Sequence, residues 1–241
     1  MNWQDPVIDY CERHGHAFWS EPLNALTNFA FLVTAGTAYS LYRRTAKADR
    51  LALILVFITV AVGIGSFIFH TFATRGAALL DRIPIAVFIY AYFYFALSRF
   101  FGARSATSAA ITVLFAAFSF LVARFCYGLN GSTVYLPPLT ALVIFAAILW
   151  IQSKADQARS RAIAGGLGLA ALLFLVSLVF RAVDRSMCSA FPSGTHFIWH
   201  LLNAWVLWLL LRTGILADVA FSETTNSARS QSAGDAVGER G

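Results

Sequence analysis

Two histidines stand four residues apart in an otherwise apolar stretch, GTHFIWHLLNAW. His196 and His200 would share one face of a helix, because residues four apart lie one above the other. A third histidine, His70, ends another apolar stretch, GSFIFH, with Ser66 one turn before it, and Asp81 follows eleven residues later. Ionisable side chains inside a membrane helix are costly and mark functional sites, so these five residues form the candidate site.

Three neutral imidazoles are a typical ligand set for a divalent transition metal, zinc above all. Three protein ligands leave a fourth position for water, as in catalytic zinc sites, and bound zinc brings the pKa of that water to about 7. We therefore expect His70, His196 and His200 to hold zinc. Asp81 would act as the general base and later return the proton to the leaving group. Ser66 would donate a hydrogen bond to the developing oxyanion.

Each of these residues also has a structural alternative. His196 and His200 could lock two membrane helices together by hydrogen bonds, and His70 could be a hydrogen-bonded core residue. Ser66 could bond to the backbone of its own helix, and Asp81 could pair with a flanking arginine. The choice depends on whether the helices that carry the five residues bring them together.

The composition indicates a membrane protein. Of the 241 residues, 59% are hydrophobic and only 12% are charged, whereas soluble domains carry about 25% charged residues. The formal net charge is +6. The basic residues occupy short loops between apolar stretches, so membrane topology explains them and a nucleic-acid partner is not expected.

Seven stretches are long and apolar enough to cross a bilayer, which takes about 20 residues as a helix. The sequence therefore predicts an all-α bundle of seven transmembrane helices over residues 24–212. It follows an external N-terminal segment, residues 1–23, and precedes a disordered tail, residues 213–241, rich in Ser, Ala and Gly. The predicted spans are Asn24–Tyr42, Leu51–Phe72, Leu79–Ser98, Thr107–Phe125, Val134–Gln152, Ala162–Phe180 and Thr195–Leu211.

The loops set the orientation, because Lys and Arg are enriched on the cytoplasmic side. Ten basic residues follow the odd-numbered spans, and six lie on the opposite side. This bias predicts a multi-pass protein of the cell membrane, with its N-terminus outside and its C-terminus in the cytoplasm. The ten are Arg43, Arg44, Lys47, Arg50, Arg99, Arg104, Lys154, Arg159, Arg161 and Arg212; the six are Arg13, Arg75, Arg82, Arg124, Arg181 and Arg185.

This topology brings the five candidate residues to one depth. Ser66 and His70 lie towards the outer end of the second span, and Asp81 lies at the outer start of the third. His196 and His200 lie in the first turns of the seventh span, which also starts outside. Because all five reach the outer leaflet from helices of opposite direction, a metal site facing that side is favoured over the structural alternatives.

These residues resemble the alkaline ceramidase family, which lies within a seven-transmembrane hydrolase superfamily that includes the adiponectin receptors. The matching pieces are DYCE, EPLNALTN, GSFIFH with Asp81, Asp184 with Cys188, and GTHFIWH, in order along nearly the whole chain. The resemblance implies zinc on the three histidines, with Ser66 and Asp81 catalytic. It also implies cleavage of ceramide-like lipids into a fatty acid and a sphingoid base.

The resemblance also implies a calcium site in the N-terminal segment, on Asp9, Glu12, Glu21 and the backbone of Tyr10. His14 stands where animal members have an Asn ligand. Clustered carboxylates before a helix suit a hard cation, although the same acidic residues could simply bias the segment to the outside. The resemblance further pairs Cys11 with Cys188 and leaves Cys126 free; the alternative is three buried thiols.

The leading interpretation is therefore a zinc-dependent amidohydrolase that acts on linear amide bonds of membrane lipids from the outer leaflet. A receptor-like or lipid-binding member of the same superfamily, with little hydrolysis, is the first alternative. A metal or proton transporter is the second, but no comparable polar residues continue towards the cytoplasmic side. No obligate protein partner is inferred.

Overall fold

A computed structural model describes residues 2–45, 49–153 and 158–238, with the backbone alone for residues 218–238. All named elements in these ranges are helical, which confirms the all-α class. The helices are α1 (Pro22–Thr27), α2 (Phe29–Thr45), α3 (Arg50–Phe72), α4 (Arg75–Arg99), α5 (Ser105–Phe125), a 3-10 helix (Leu129–Tyr135), α6 (Leu136–Gln152), α7 (Ala158–Met187) and α8 (His196–Gly238). Lys47 and Lys154, two of the basic loop residues, lie outside the described residues.

Six helical segments in the described residues are long and apolar enough to cross a membrane. They begin at Arg50, Arg75, Ser105, Leu129, Ala158 and His196. Many large apolar side chains on these helices are exposed, as expected for helices that face lipid and satisfy their backbone groups internally. The chain is therefore a multi-pass membrane protein, and the orientation of its termini stays a prediction.

The first predicted span, Asn24–Tyr42, is two helices in the structure. α1 ends at Thr27 and α2 starts at Phe29, and the Asn28 side chain between them is buried and donates to the Asn24 carbonyl at 2.7 Å. α2 has only 17 residues. A seventh crossing at this place stays a prediction. The break at Asn28 could not be expected from hydropathy alone.

The predicted tail boundary is wrong. The side chains of Thr213, Ile215 and Ala217 are buried, and the backbone of α8 continues as a helix to Gly238. Small and polar residues after Arg212 suggested disorder, but α8 packs closely at this point: a Cβ on Gly214 would lie 2.8 Å from the Phe95 ring. The packed bundle therefore extends at least five residues beyond the predicted limit.

The helices divide the bundle into two ends. We call the site end the one at which α3 and α7 finish and α4 and α8 begin, and we call the opposite end the far end. The large apolar core occupies the middle and the far end and includes Phe95, Leu167 and Leu211. Its buried Tyr92 hydroxyl donates to the Leu210 carbonyl at 3.1 Å. Most of the buried polar residues instead gather at the site end, whereas Asp49, which pairs with Arg99, lies at the far end.

Candidate metal centre

The three histidines meet at the site end of the bundle. His70 lies in the last turn of α3, while His196 and His200 occupy the first turns of α8. Each offers a ring nitrogen, and these atoms lie within 4.8 Å of one another. All three side chains are at least 99% buried. Among the described residues this is the group of His, Cys, Asp or Glu side chains with the spacing of a metal site.

The ring of His70 is oriented by Glu21. His70 Nδ1 lies 2.6 Å from Glu21 Oε2, so its proton faces the carboxylate and Nε2 keeps its lone pair for a metal. Carboxylate partners of this kind orient metal-binding histidines and raise their basicity. The Asn24 side-chain amide also donates to Glu21 Oε2, at 3.0 Å.

Arg13 completes this arrangement. Its Nε donates to Glu21 Oε1, and its Nη2 donates to the His70 carbonyl at 2.8 Å. Burial alone would raise the pKa of the Glu21 carboxyl, but His70 and Arg13 outweigh it and hold that pKa below its usual range. Arg13 therefore ties the N-terminal segment to both the histidine and its carboxylate partner.

Thr27 orients His200 in a similar way. The Thr27 hydroxyl donates to the Leu23 carbonyl at 2.7 Å, so its oxygen is free to accept a hydrogen bond from His200 Nδ1, 3.0 Å away. His200 Nε2 is buried without a hydrogen-bond partner among the described residues. The ring nitrogen that would bind a metal is thus the one left unpaired.

His196 is held by aromatic packing. Its ring stacks on Tyr10, with centroids 3.6 Å apart, and on Trp199, with centroids 5.1 Å apart. Within the described part of the chain, its Nδ1 is buried and has no hydrogen-bond partner. Tyr10, which was expected to offer its backbone to calcium, therefore contacts the histidine site with its side chain.

Asp184 fixes the start of α8. Its Oδ1 accepts hydrogen bonds from the backbone of Thr195 at 2.6 Å and of His196 at 2.9 Å, and its Oδ2 accepts one from Cys11 at 3.2 Å. Gly194 precedes the helix with φ +63°, and a Cβ there would lie 2.2 Å from Asp184 Oδ1. Only glycine suits this position, since it needs both a left-handed backbone and space.

Cys11 and Cys188 lie at disulfide distance, with sulfur atoms 1.98 Å apart. This is the pair that the resemblance implied, and Cys126 is exposed and free. The pairing fastens the N-terminal segment to the loop before α8, next to Asp184. Both carriers of the site, the segment and α8, are therefore attached to each other.

Ser66 and Asp81 come together because α3 and α4 pack closely. A Cβ on Gly65 would lie 1.9 Å from the Leu80 carbonyl oxygen, so glycine permits this approach. Both side chains are buried, and Ser66 Oγ and Asp81 Oδ1 have no hydrogen-bond partner among the described residues. The alternatives suggested for them, back-bonding by Ser66 and pairing of Asp81 with an arginine, do not occur among the described hydrogen bonds and ion pairs.

The site fits a metal ion. Buried polar atoms are nearly always hydrogen-bonded, yet unpaired atoms of His196, His200, Ser66 and Asp81 cluster here. Three imidazoles, two of them oriented by an oxygen partner, match the donor set of a catalytic zinc site. A divalent ion with a bound water would satisfy these atoms together.

A family model of ceramidases matches residues 4–231, nearly the whole chain. The protein belongs to the ceramidase family. A search of curated protein sequences finds no significant match. The family supports a ceramide-hydrolysing function, a lipid substrate and a hydrolase that acts on amide bonds, and the three histidines are compatible with a metal-dependent ceramidase.

The residues expected to bind calcium in this ceramidase-family chain have other partners. Both oxygens of Glu12 accept hydrogen bonds from the start of α1, from Leu23 N at 2.7 Å and Asn24 N at 2.8 Å. Burial raises the pKa of Glu12 although these bonds oppose it. Asp9 lies 3.6 Å from the Arg82 guanidinium, and His14 is exposed.

The carboxylate oxygens of Glu21 are hydrogen-bonded to Arg13, Asn24 and His70, as described above. The Arg13 guanidinium thus lies among these acidic groups and pairs with Glu21. Calcium binding by this ceramidase-family member stays an untested expectation, and no step of the chemistry is assigned to it.

Sequence reasoning missed three contributors to the site. Arg13 and Thr27 gave no signal, because nothing in their spacing ties them to the histidines. Glu21 was identified as a calcium ligand and not as the carboxylate partner of a metal-binding histidine. Each of the three joins segments far apart in sequence, and such contacts are visible only in the folded ceramidase bundle.

Proposed function

We propose that this protein is a zinc-dependent amidohydrolase that cleaves ceramide-like N-acyl sphingoid lipids into a fatty acid and a sphingoid base. One observation carries the proposal: His70, His196 and His200 converge beside Ser66 and Asp81. Apart from His70, each of these residues has a buried polar atom without a hydrogen-bond partner in the described chain. The family match supports the substrate class.

His70, His196 and His200 would hold the ion. Zinc bound there supplies a Lewis acid and an activated water at neutral pH. Asp81 accepts a proton from the attacking water and returns it to the leaving amide nitrogen. General acid–base catalysis of this kind raises the rate of a reaction by about 10² to 10⁴ fold. Ser66 donates a hydrogen bond from its hydroxyl to the carbonyl oxygen as negative charge develops on that oxygen.

An apolar cavity next to the histidines supports a lipid substrate. It has a volume of about 90 Å³ and runs between α4, α6, α7 and α8. Phe31, Trp199 and Asn203 line it near the histidine site, and Leu210 lines it deeper in the bundle. A hydrocarbon chain bound in this cavity would leave its amide group near Ser66 and Asp81.

Product analysis by mass spectrometry tests the proposal. Purified protein is given a panel of N-acyl lipids, and its zinc content is measured on the same preparation. We expect release of fatty acid and sphingoid base by wild type, and no release by the H196A/H200A double variant. His16→Ala is the matched control, because His16 is exposed and is not one of the three grouped histidines.

Two results would contradict the proposal. Active wild-type protein without zinc would remove the metal mechanism. Lipid binding by correctly folded, zinc-loaded protein that releases no product from any amide of the panel would instead favour the receptor-like or lipid-binding alternative.

A further inference from the structure

A second, polar cavity opens beside the metal centre. Its volume is about 560 Å³, several times that of the apolar cavity. It lies between the N-terminal segment, α4, α5, the 3-10 helix and α7. Its polar lining includes Asp9, Tyr10, Arg82, Ser119, Asn130 and Arg181.

Arg181 is the most unusual residue of this lining. Its Nη1 donates to the Asn130 carbonyl at 2.8 Å and to Ser132 Oγ at 2.9 Å, which uses one of its three nitrogens. The guanidinium lies 5.3 Å from the centre of the Tyr135 ring and 5.8 Å from that of Trp199. It is thus held in a fixed position against aromatic surfaces.

Arg181 has no carboxylate within ion-pair distance among the described residues. A cation in such surroundings is expensive unless a negative group compensates it. An arginine presents its donors in a planar fork that suits carboxylate and phosphate oxygens. Asp81 and the Tyr10 side chain also act on the guanidinium, but neither is a carboxylate in direct contact with it among the described residues. A direct partner would therefore have the chemistry of an oxygen anion.

Two further groups of the lining point to the same chemistry. Arg82 contributes a second guanidinium, and its partner Asp9 lies at the long distance of 3.6 Å. Ser119 is 94% buried, and its hydroxyl has no hydrogen-bond partner in the described part of the chain. The lining thus offers one net positive charge and several unused donors.

The cavity communicates with the parts of the site that would hold a lipid amide. Tyr10 separates it from His196, on which the Tyr10 ring stacks. Ile85, Ile89 and Tyr135 line both this cavity and the apolar one. A lipid with its chain in the apolar cavity and its amide at the histidines would therefore reach the polar cavity with an attached polar group.

We propose that the polar cavity binds an anionic oxygen group of the lipid, a carboxylate or a phosphate, through Arg181 with help from Arg82. This inference rests on the proposed function. The anion has two possible sources with the same chemistry. One is the carboxylate of the fatty-acid product, and the other is an acidic group on the amine portion of the substrate.

Binding of matched lipid pairs to the purified, zinc-loaded protein in detergent tests the proposal. Palmitate is compared with hexadecanol, and N-palmitoylglycine with N-palmitoylethanolamine. We expect the acid of at least one pair to bind about tenfold tighter or more, as hydrogen bonds to charged groups imply. Arg181→Gln should abolish most of that preference. The control is Arg185→Gln, because Arg185 is exposed one turn later on the same helix.

The pairs distinguish the two sources. A preference for palmitate alone assigns the cavity to the product, whereas a preference for N-palmitoylglycine assigns it to an acidic headgroup. Equal binding within both pairs overturns the proposal. So does a preference that survives Arg181→Gln, since it would indicate that the metal centre binds the acid.

A second variant guards against misfolding of the Arg181→Gln protein. Arg82→Gln changes an exposed position and should reduce the preference for the acid about threefold or more, because hydrogen bonds to charged groups are strong. A preference that is unchanged in both arginine variants, with both proteins folded, rejects the site. Hydrolysis is scored separately on the same panel. Product release without any acid preference contradicts only this inference, and an Arg181-dependent preference without product release contradicts only the proposed function.

Discussion

At the site end of the bundle the buried side chains are histidines, carboxylates and amides, whereas the middle and far end bury residues such as Phe95, Leu167 and Leu211. The far-end helices associate through close van der Waals packing of small and aromatic residues, which contact one another more closely than they would contact lipid. The site end depends on hydrogen bonds and ion pairs that segments outside the long helices supply. Function and packing are therefore separable in this molecule, and single substitutions can affect one without the other.

The N-terminal segment is the main reason for the difference. Arg13 and Glu21 reach His70, Tyr10 reaches His196, and Cys11 reaches the loop before α8. The far end has no comparable insertion among the described residues. The comparison predicts that changes at the site end reduce metal binding or turnover and that changes at the far end reduce stability.

The largest effect is expected from removing two metal ligands. His196→Ala together with His200→Ala leaves one imidazole, so we expect loss of bound zinc and of turnover. Elemental analysis and product release check this on protein whose helical content is verified by circular dichroism. A double variant that keeps one zinc per chain would show that these histidines are not the ligands.

Asp81→Asn should reduce turnover by about 10² to 10⁴ fold while zinc remains bound, because the three imidazoles are intact but the proton carrier is lost. Zinc content, melting temperature and turnover are measured on one preparation. Full turnover of Asp81→Asn with a lowered melting temperature would make Asp81 a structural residue.

Ser66→Ala should also keep zinc, and its turnover should fall by about 10² fold or more.

Phe95→Ala tests the far end. Phe95 is 99% buried and packs against α8 at Gly214, so its truncation should cost about 3–5 kcal/mol of stability. Zinc content per folded chain should not change. Phe57→Ala is the control, since Phe57 is 61% exposed on α3. Zinc loss in folded Phe95→Ala protein would show that the two ends are coupled.

Glu21→Gln should weaken zinc binding by about 10 to 100 fold, because an orienting partner of a ligand typically contributes this much. Competition with a chelator of known affinity measures it. Asp5→Asn is a matched control: Asp5 is a partly exposed carboxylate whose ion pair with Arg75, at 3.4 Å, is of the surface kind. Equal zinc affinity of wild type and Glu21→Gln would leave Glu21 with a purely structural role.

The smallest effect is expected at Cys126. This residue is exposed and free, so Cys126→Ser should change stability by no more than about 0.5 kcal/mol. Thiol titration under denaturing, non-reducing conditions should find one thiol in wild type and none in the variant. Three thiols in wild type would show that Cys11 and Cys188 are not joined.

The sequence was sufficient to predict the helices and the grouping of the histidines. Apolar stretches identify long membrane helices, and the reversal of direction between consecutive helices brings His70, Asp81 and His196 to one end. It was not sufficient for the break at Asn28 or for the helical continuation past Arg212, since hydropathy reports composition and not packing. The partners of the histidines also could not be predicted, because Arg13, Glu21 and Thr27 approach them only through the fold.

The break at Asn28 has a consequence for the bilayer. α2 has 17 residues, a length of about 25 Å at 1.5 Å per residue, whereas the hydrocarbon core is about 30 Å thick. A crossing by α2, which stays a prediction, would need the bilayer to thin locally or flanking residues to cover the difference. The Asn28 end of α2 lies beside the histidines, since the adjacent Thr27 contacts His200. Hydrolysis consumes water, and hydrophobic mismatch at this point would bring the aqueous boundary down to the amide bond.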